Sequence, residues 1–139
     1  MTARPIVFPA ILYEDAPRAI RFLCDAFGFV IHAVHADGDL VHNAQLVFEG
    51  NIVMLSSVQR QSRDKYSMAS MRGAGGVSPV CLCVVVTDPD AHHAHAEAAG
   101  AEIIEPPYDY PYGGRGYSVR DSEGLPWSFG TYDPYAALN

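Results

Sequence analysis

Two stretches decide the architecture: FPAILYEDAPRAIRFLCDAFGFVI (8–31) and CLCVVVTDPDAHHAHAEAAGAEII (81–104). Each is an apolar run closed by an acidic residue, then Pro, then a helical stretch ending at Gly, then apolar residues again. Asp15 precedes Gly28 by 13 residues, and Asp88 precedes Gly100 by 12. The back halves match as well: VFEGNIVMLSS (47–57) lies over VRDSEGLPWSFGT (119–131), with Gly50 against Gly124. A unit that occurs twice packs as a pseudo-symmetric pair, which settles architecture before residue propensity does.

Residues 6–14 and 80–87 are β-rich and too short for typical helices, so they read as strands. Asp15 and Asp88 are placed to accept bonds from the first helical turn, where Pro17 and Pro89 leave no N–H unpaired. Ile20, Leu23, Cys24 and Phe27 form the buried stripe of the first helix, and Gly28 and Gly100 supply left-handed stops. The second helix offers Ala91, Ala94, Ala98 and Ala99, which predicts close packing on its alanines. Strands are expected at 29–36, 40–49 and 51–57, then at 101–105, 115–120 and 126–132. Gly38, Gly50 and Gly124 mark the hairpin turns. Each unit is βαβββ. The expected fold is α+β, two βαβββ modules forming a curved mixed sheet with the helices outside. It makes one domain over 1–139, with repeats at about 5–58 and 78–134. Segment 59–79 shows neither period and reads as one long linking loop.

At 139 residues, with 49% hydrophobic content, the chain has the composition of one globular domain. Its net charge is −7, and no stretch clusters Lys or Arg, so nucleic acid is not an expected partner. The longest apolar run, 81–86, is too short to span a bilayer. The opening MTARPIVFP lacks the apolar core and cleavage site of a signal peptide. There are three cysteines, an odd number, and Cys81 and Cys83 are poorly placed to bond each other on one strand. Cytoplasmic residence with reduced thiols is the expectation.

The segments AIRFLCDAFGF (19–29), HNAQLVFEGNIVML (42–55), DPDAHHAHAEAAGAEI (88–103) and YGGRGYSVRDSEGLPWSFGTYDP (112–134) carry a resemblance. Together they resemble the vicinal-oxygen-chelate superfamily of glyoxalase I, extradiol dioxygenases and bleomycin-resistance proteins, and within it the PhnB-like group. In metal-using members, as the resemblance implies, His or Glu side chains enter the cleft from the first and last strand of each module. The first-strand positions lie seven residues before the capping aspartates, at Phe8 and Cys81. The last-strand positions lie four residues after the turn glycines, at Met54 and Ser128. None is His, Asp or Glu, whereas a hard divalent ion needs imidazole or carboxylate. The usual metal site is therefore not expected, nor any cofactor. Cys81 and Met54 could suit a soft ion such as Cu(I), although lining a cleft is their plainer role.

His92, His93 and His95 read as a solvated helix face, and His32 and His35 as residues on opposite strand faces. His42 shares strand parity with Ala44 and Leu46, which gives it either a structural role or a place in the pocket; Gln45 then faces away unless a bulge intervenes. PPYDYPYGGRGY (106–117) gathers four tyrosines around Arg115, an aromatic rim with a group able to clamp a carboxylate or phosphate. By alternation, Trp127 packs under a helix if Ser128 lines the cleft.

The expected function is non-metal binding of a small organic molecule, as in drug or metabolite sequestration. No catalytic residue is assigned. The ligand, aromatic or carboxylated, is expected to meet Phe8, Leu12, His42, Met54, Cys81, Arg115 and Ser128, in a homodimer. The rival reading is a glyoxalase-like lyase or isomerase, or a dioxygenase, with a non-standard active site. It would recruit a metal through His42 with Glu49, or run acid–base chemistry at His42. A third reading, a dimeric module without a ligand, predicts a filled cleft near Met54.

Overall fold

The structure, a computed structural model, describes residues 4–138. The first module runs β1 (Ala10–Tyr13), α1 (Ala16–Phe27), β2 (Val30–Asp37), β3 (Leu40–Phe48) and β4 (Asn51–Ser57). A short helix, α2 (Arg60–Asp64), follows. The second module runs β5 (Leu82–Val85), α3 (Pro89–Ala98), β6 (Glu102–Asp109), β7 (Arg115–Arg120) and β8 (Pro126–Gly130).

The local chemistry explains these boundaries. Asp15 accepts a bond from the Arg18 N–H at 3.2 Å, and Asp88 from the Ala91 N–H at 3.1 Å, satisfying orphan donors of the first turns. Gly28 sits at φ 89°, its N–H returning to Cys24 O at 3.3 Å. Glu49 and Gly50 both have positive φ, 48° and 79°, as a two-residue hairpin turn whose twist matches its strands requires.

Among the described residues the strands form two sheets, in the orders β1-β4-β3-β2 and β5-β8-β7-β6. In each, the first strand pairs parallel with the last, so β1 and β5 are unpaired edges. No Cα of β1 or β4 comes within 8 Å of β5 or β8. Helix α1 packs on the first sheet, α3 on the second, and the two helices on each other. Within one chain the paired modules are thus two half-surfaces joined through their helices. Phe27, at the end of α1, seats its ring 4.9 Å from Phe129 and 5.5 Å from Trp127. A second tie is polar: buried Asp121 accepts the Tyr13 hydroxyl at 2.6 Å and the Trp127 indole N–H at 3.0 Å. Burial first, and Asp121 next, push the Tyr13 hydroxyl up from its ordinary value, so it remains the donor.

Two expectations are corrected here. The alanine face of α3 is not its packing side: Ala91, Ala94, Ala98 and Ala99 are exposed, and Ala96 is buried. The histidine tract is not simply solvated either. His92, half-buried one turn before Ala96, donates from Nε2 to Phe27 O at 2.9 Å and accepts the Tyr117 hydroxyl at Nδ1 at 2.5 Å. Its ring stacks 4.1 Å from Phe129. His95 Nε2 donates to Asp25 O at 2.7 Å. With both ring nitrogens paired, His92 is tolerated where an unpaired polar group would not be.

That geometry requires neutral His92, and desolvation holds it below its ordinary pKa of 6.5 even though the Phe27 carbonyl pulls the other way. The unfolded chain binds this proton first as pH falls, so the contribution is whole above about 6.5 and is lost below it. Thermal melts between pH 7.5 and 5 should show a fall in stability that His92→Gln flattens. An identical pH profile for the variant would refute this assignment.

Segment 59–79 is also more than a linker. The Gln59 N–H donates to Ser62 Oγ at 3.1 Å, the Met68 N–H to Ser62 O at 2.8 Å, and Ser70 and Met71 are buried. It is a packed strap.

Candidate functional site

The unpaired edges of β1 and β5 flank a cavity of about 1110 Å³. Ile11, Leu12 and Tyr13 face it from β1, and residues 82–85 from β5. Ile52 and Trp127 come from the surrounding sheets, and Phe29 from the turn between α1 and β2. The strap contributes Met68, Met71 and Val77, and Val80 follows it. The charged lining residues are all acidic, Glu49, Glu123 and Asp133, and no Lys, Arg or His lines the cavity among the described residues. Glu123 is already engaged, accepting the Glu14 and Asp15 N–H groups at 2.8 Å each.

Of the seven residues expected to meet a ligand, Leu12 and Cys81 line this cavity. Cys81 and Ser128 do come together, with Sγ and Oγ 3.7 Å apart, and Ser128 also meets Ser118 Oγ at 3.0 Å. Met54 lies on the other sheet, between Ala10 and Gln45. Phe8 precedes β1 and is 41% exposed. One chain therefore does not gather the set of four.

His42 and Arg115 are placed otherwise than expected. His35 pairs with Asn43 and Ala36 with Val41, so His42 is the bulged residue, and Nε2 lies 2.8 Å from Asp37 Oδ2 at the hairpin end. The bulge reverses the parity and puts Gln45, not His42, beside Met54. Glu49 follows the other end of β3, seven residues away or roughly 23 Å along a strand, so His42 and Glu49 cannot share a metal. Arg115 has spent its fork: Nε and Nη2 donate to Asp90 at 2.9 Å each, and Nη1 to Asp109 at 3.3 Å. It pins the aromatic loop to the first turn of α3 and is not available as a carboxylate clamp. The rim itself exists. Tyr108, Tyr110, Tyr112 and Tyr132 follow one another at ring separations of 5.0, 5.3 and 5.3 Å. The Tyr110 hydroxyl lies over Gly116, where any Cβ would collide with it.

A family model described as the Glyoxalase/Bleomycin resistance protein/Dioxygenase superfamily matches residues 6–129. The chain belongs to that superfamily. An uncharacterized protein of Mycobacterium bovis is 33% identical over 132 residues, covering 94% of this chain and 85% of the relative. The crystal structure of TioX from Micromonospora sp. ML1 is 32% identical with a TM-score of 0.72, over 93% of this chain and 98% of TioX. UcmS2, 23% identical, shares the fold with a TM-score of 0.74, over 95% of this chain and 100% of its own.

The metal that some superfamily members use does not fit the residues found here. Phe8 has no donor atom, Met54 offers only a thioether, and Cys81 turns to Ser128. Among the described residues, no three His, Cys, Asp or Glu side chains cluster to hold an ion. A hard divalent ion needs several nitrogen or oxygen ligands. Also among the described residues, no helix is long and apolar enough to cross a membrane.

The sequence reading missed the strap. Met71, a thioether in a largely polar stretch and buried in the structure, was its signal of burial.

Proposed function

We propose that this superfamily member binds a neutral, largely apolar organic molecule in the cavity between its two modules, as a binding or sequestering protein. The observation that carries this reading is an apolar cavity of about 1110 Å³ whose lining, among the described residues, holds no Lys, Arg or His. Small-molecule sites of ~300–1000 Å³ enclose drug-sized ligands, mainly by hydrophobic walls. Methionines and aromatics give soft, polarizable surfaces against which flat rings pack well. A carboxylated ligand, the other expectation from the sequence, loses support because Arg115 is engaged elsewhere.

Thermal melts against a panel of matched aromatic compounds test this. Neutral members should raise Tm, carboxylated analogues should do less, and Mn²⁺ or Ni²⁺ should do nothing. A large stabilisation by either ion, with none by the organic panel, would favour the enzymatic alternative, a glyoxalase-like lyase or isomerase.

We also propose that the working form is a homodimer. Of the four sheet edges, β1 and β5 are the two beside the cavity, and Ile6 and Val7 beside β1 are 84% and 85% exposed, with Val80 beside β5 at 59%. Apolar edge strands in this condition are templates for pairing with another chain. A second copy would bring its β5 edge to β1, completing each half-surface. Light scattering at micromolar concentration should return twice the chain mass; a monomer mass would remove this part of the proposal.

A further inference from the structure

Cys81 and Cys83 are two thiols for which the bound organic molecule has no evident use. Cys83 pairs with Ser128 across β5 and β8, and Cys81 lies two residues earlier with its sulfur 3.7 Å from the same hydroxyl. Residues two apart on a strand project to one face. Both cysteines are free, exposed and part of the cavity wall. Successive same-face residues lie about 6.6–6.8 Å apart, at the outer limit for a disulfide, and their Cβ vectors run parallel where a disulfide needs them to converge. The pair therefore persists as a dithiol.

We propose that Cys81 and Cys83 form a two-thiolate site for a soft monovalent cation, Cu(I) in chemical class. Thiolate selects soft ions, and Cu(I) is satisfied by two sulfurs, whereas a closed zinc site needs four ligands. Binding is ligand exchange. Two S–H bonds break, two protons leave to solvent, two S–Cu bonds form, and nothing changes oxidation state. The setting favours a cation, since among the described residues the lining is free of Lys, Arg and His and the chain carries −7. Burial, and then the neighbouring Cys81 thiol, hold the Cys83 thiol above its ordinary value, so without an ion the site stays protonated. The inference does not depend on the organic ligand.

The third cysteine supplies the control. Cys24 lies on α1, packed against the hydrophobic core, apart from this site. Reduced full-length protein is titrated anaerobically with Cu(I) against a chromophoric chelator, and the thiols are then alkylated and mapped by mass spectrometry. The expected result is one Cu(I) retained per chain, with Cys81 and Cys83 protected and Cys24 modified as in the metal-free protein. Cys83→Ser and Cys81→Ser should each weaken retention by more than the roughly 100-fold that loss of a mere supporting partner costs. Cys24→Ser should leave it unchanged. Complete removal of copper by the chelator would overturn the proposal, as would retention by Cys83→Ser or an equal loss in Cys24→Ser. If a serine variant fails to fold, the alkylation map of the unaltered protein decides.

Discussion

Replacing Asp121 with alanine is expected to cost about 4 kcal/mol of folding stability, because it orphans several buried donors at once. The carboxylate accepts Tyr13 Oη and Trp127 Nε1 on one oxygen, and the Glu123 and Leu125 N–H groups at 3.0 and 3.1 Å on the other. Asp121 is 6% exposed, Tyr13 1% and Trp127 0%, so little water is at hand to replace those bonds. Tyr13 comes from the first module and Asp121 from the second, so the loss falls on the joint between them. For a chain of this size the shift in Tm is roughly 10–15 °C. Tyr13→Phe, which removes one donor and leaves no donor stranded, should cost about 1 kcal/mol. Calorimetry on both variants checks the assignment. Equal and small losses would mean that the joint is held by the Phe27 cluster and the His92, His95 and Glu123 bonds, without need of Asp121.

The second large effect concerns binding. Val85 is 46% exposed on the cavity wall, and phenylalanine there projects its extra atoms into open space. Overpacking penalties arise when a side chain has nowhere to go, so Val85→Phe should alter stability by less than about 1.5 kcal/mol. It takes room from the ligand, and the affinity of any panel compound should fall at least tenfold, about 1.4 kcal/mol. Val30→Phe is the matched control. Val30 lies on β2, 66% exposed and away from the cavity, and should bind as the unaltered protein does. Equal affinity for the Val85 and Val30 variants in a calorimetric titration would place the ligand elsewhere.

The repeat was legible because its signals are local. Asp15, Asp88, Gly28 and Gly50 each answer to the backbone within a few residues, and each does in the structure what its residue type predicts. Contacts decided at a distance were not legible. His92 looks polar and solvated in sequence, and it is accommodated in the core only because Phe27 O and Tyr117 Oη, 65 and 25 residues away, meet its two nitrogens. Arg115 looked free because its partner Asp90 lies 25 residues back on another element. His42 was misplaced by a single bulged residue, since strand parity carries no memory across a bulge. The cavity itself is a space between two edges, which neither periodicity nor residue type encodes.

Trp127 is the sole tryptophan of the chain and part of the cavity wall, which makes it a built-in reporter. The most direct test is its fluorescence during titration with the neutral aromatic compound that stabilises the protein most. Ligand seated between the modules should change Trp127 emission saturably, along the same curve as the thermal stabilisation, and Val85→Phe should shift that curve to higher concentration. Stabilisation with no change in Trp127 emission, or a change that Val85→Phe leaves untouched, would contradict binding in this cavity.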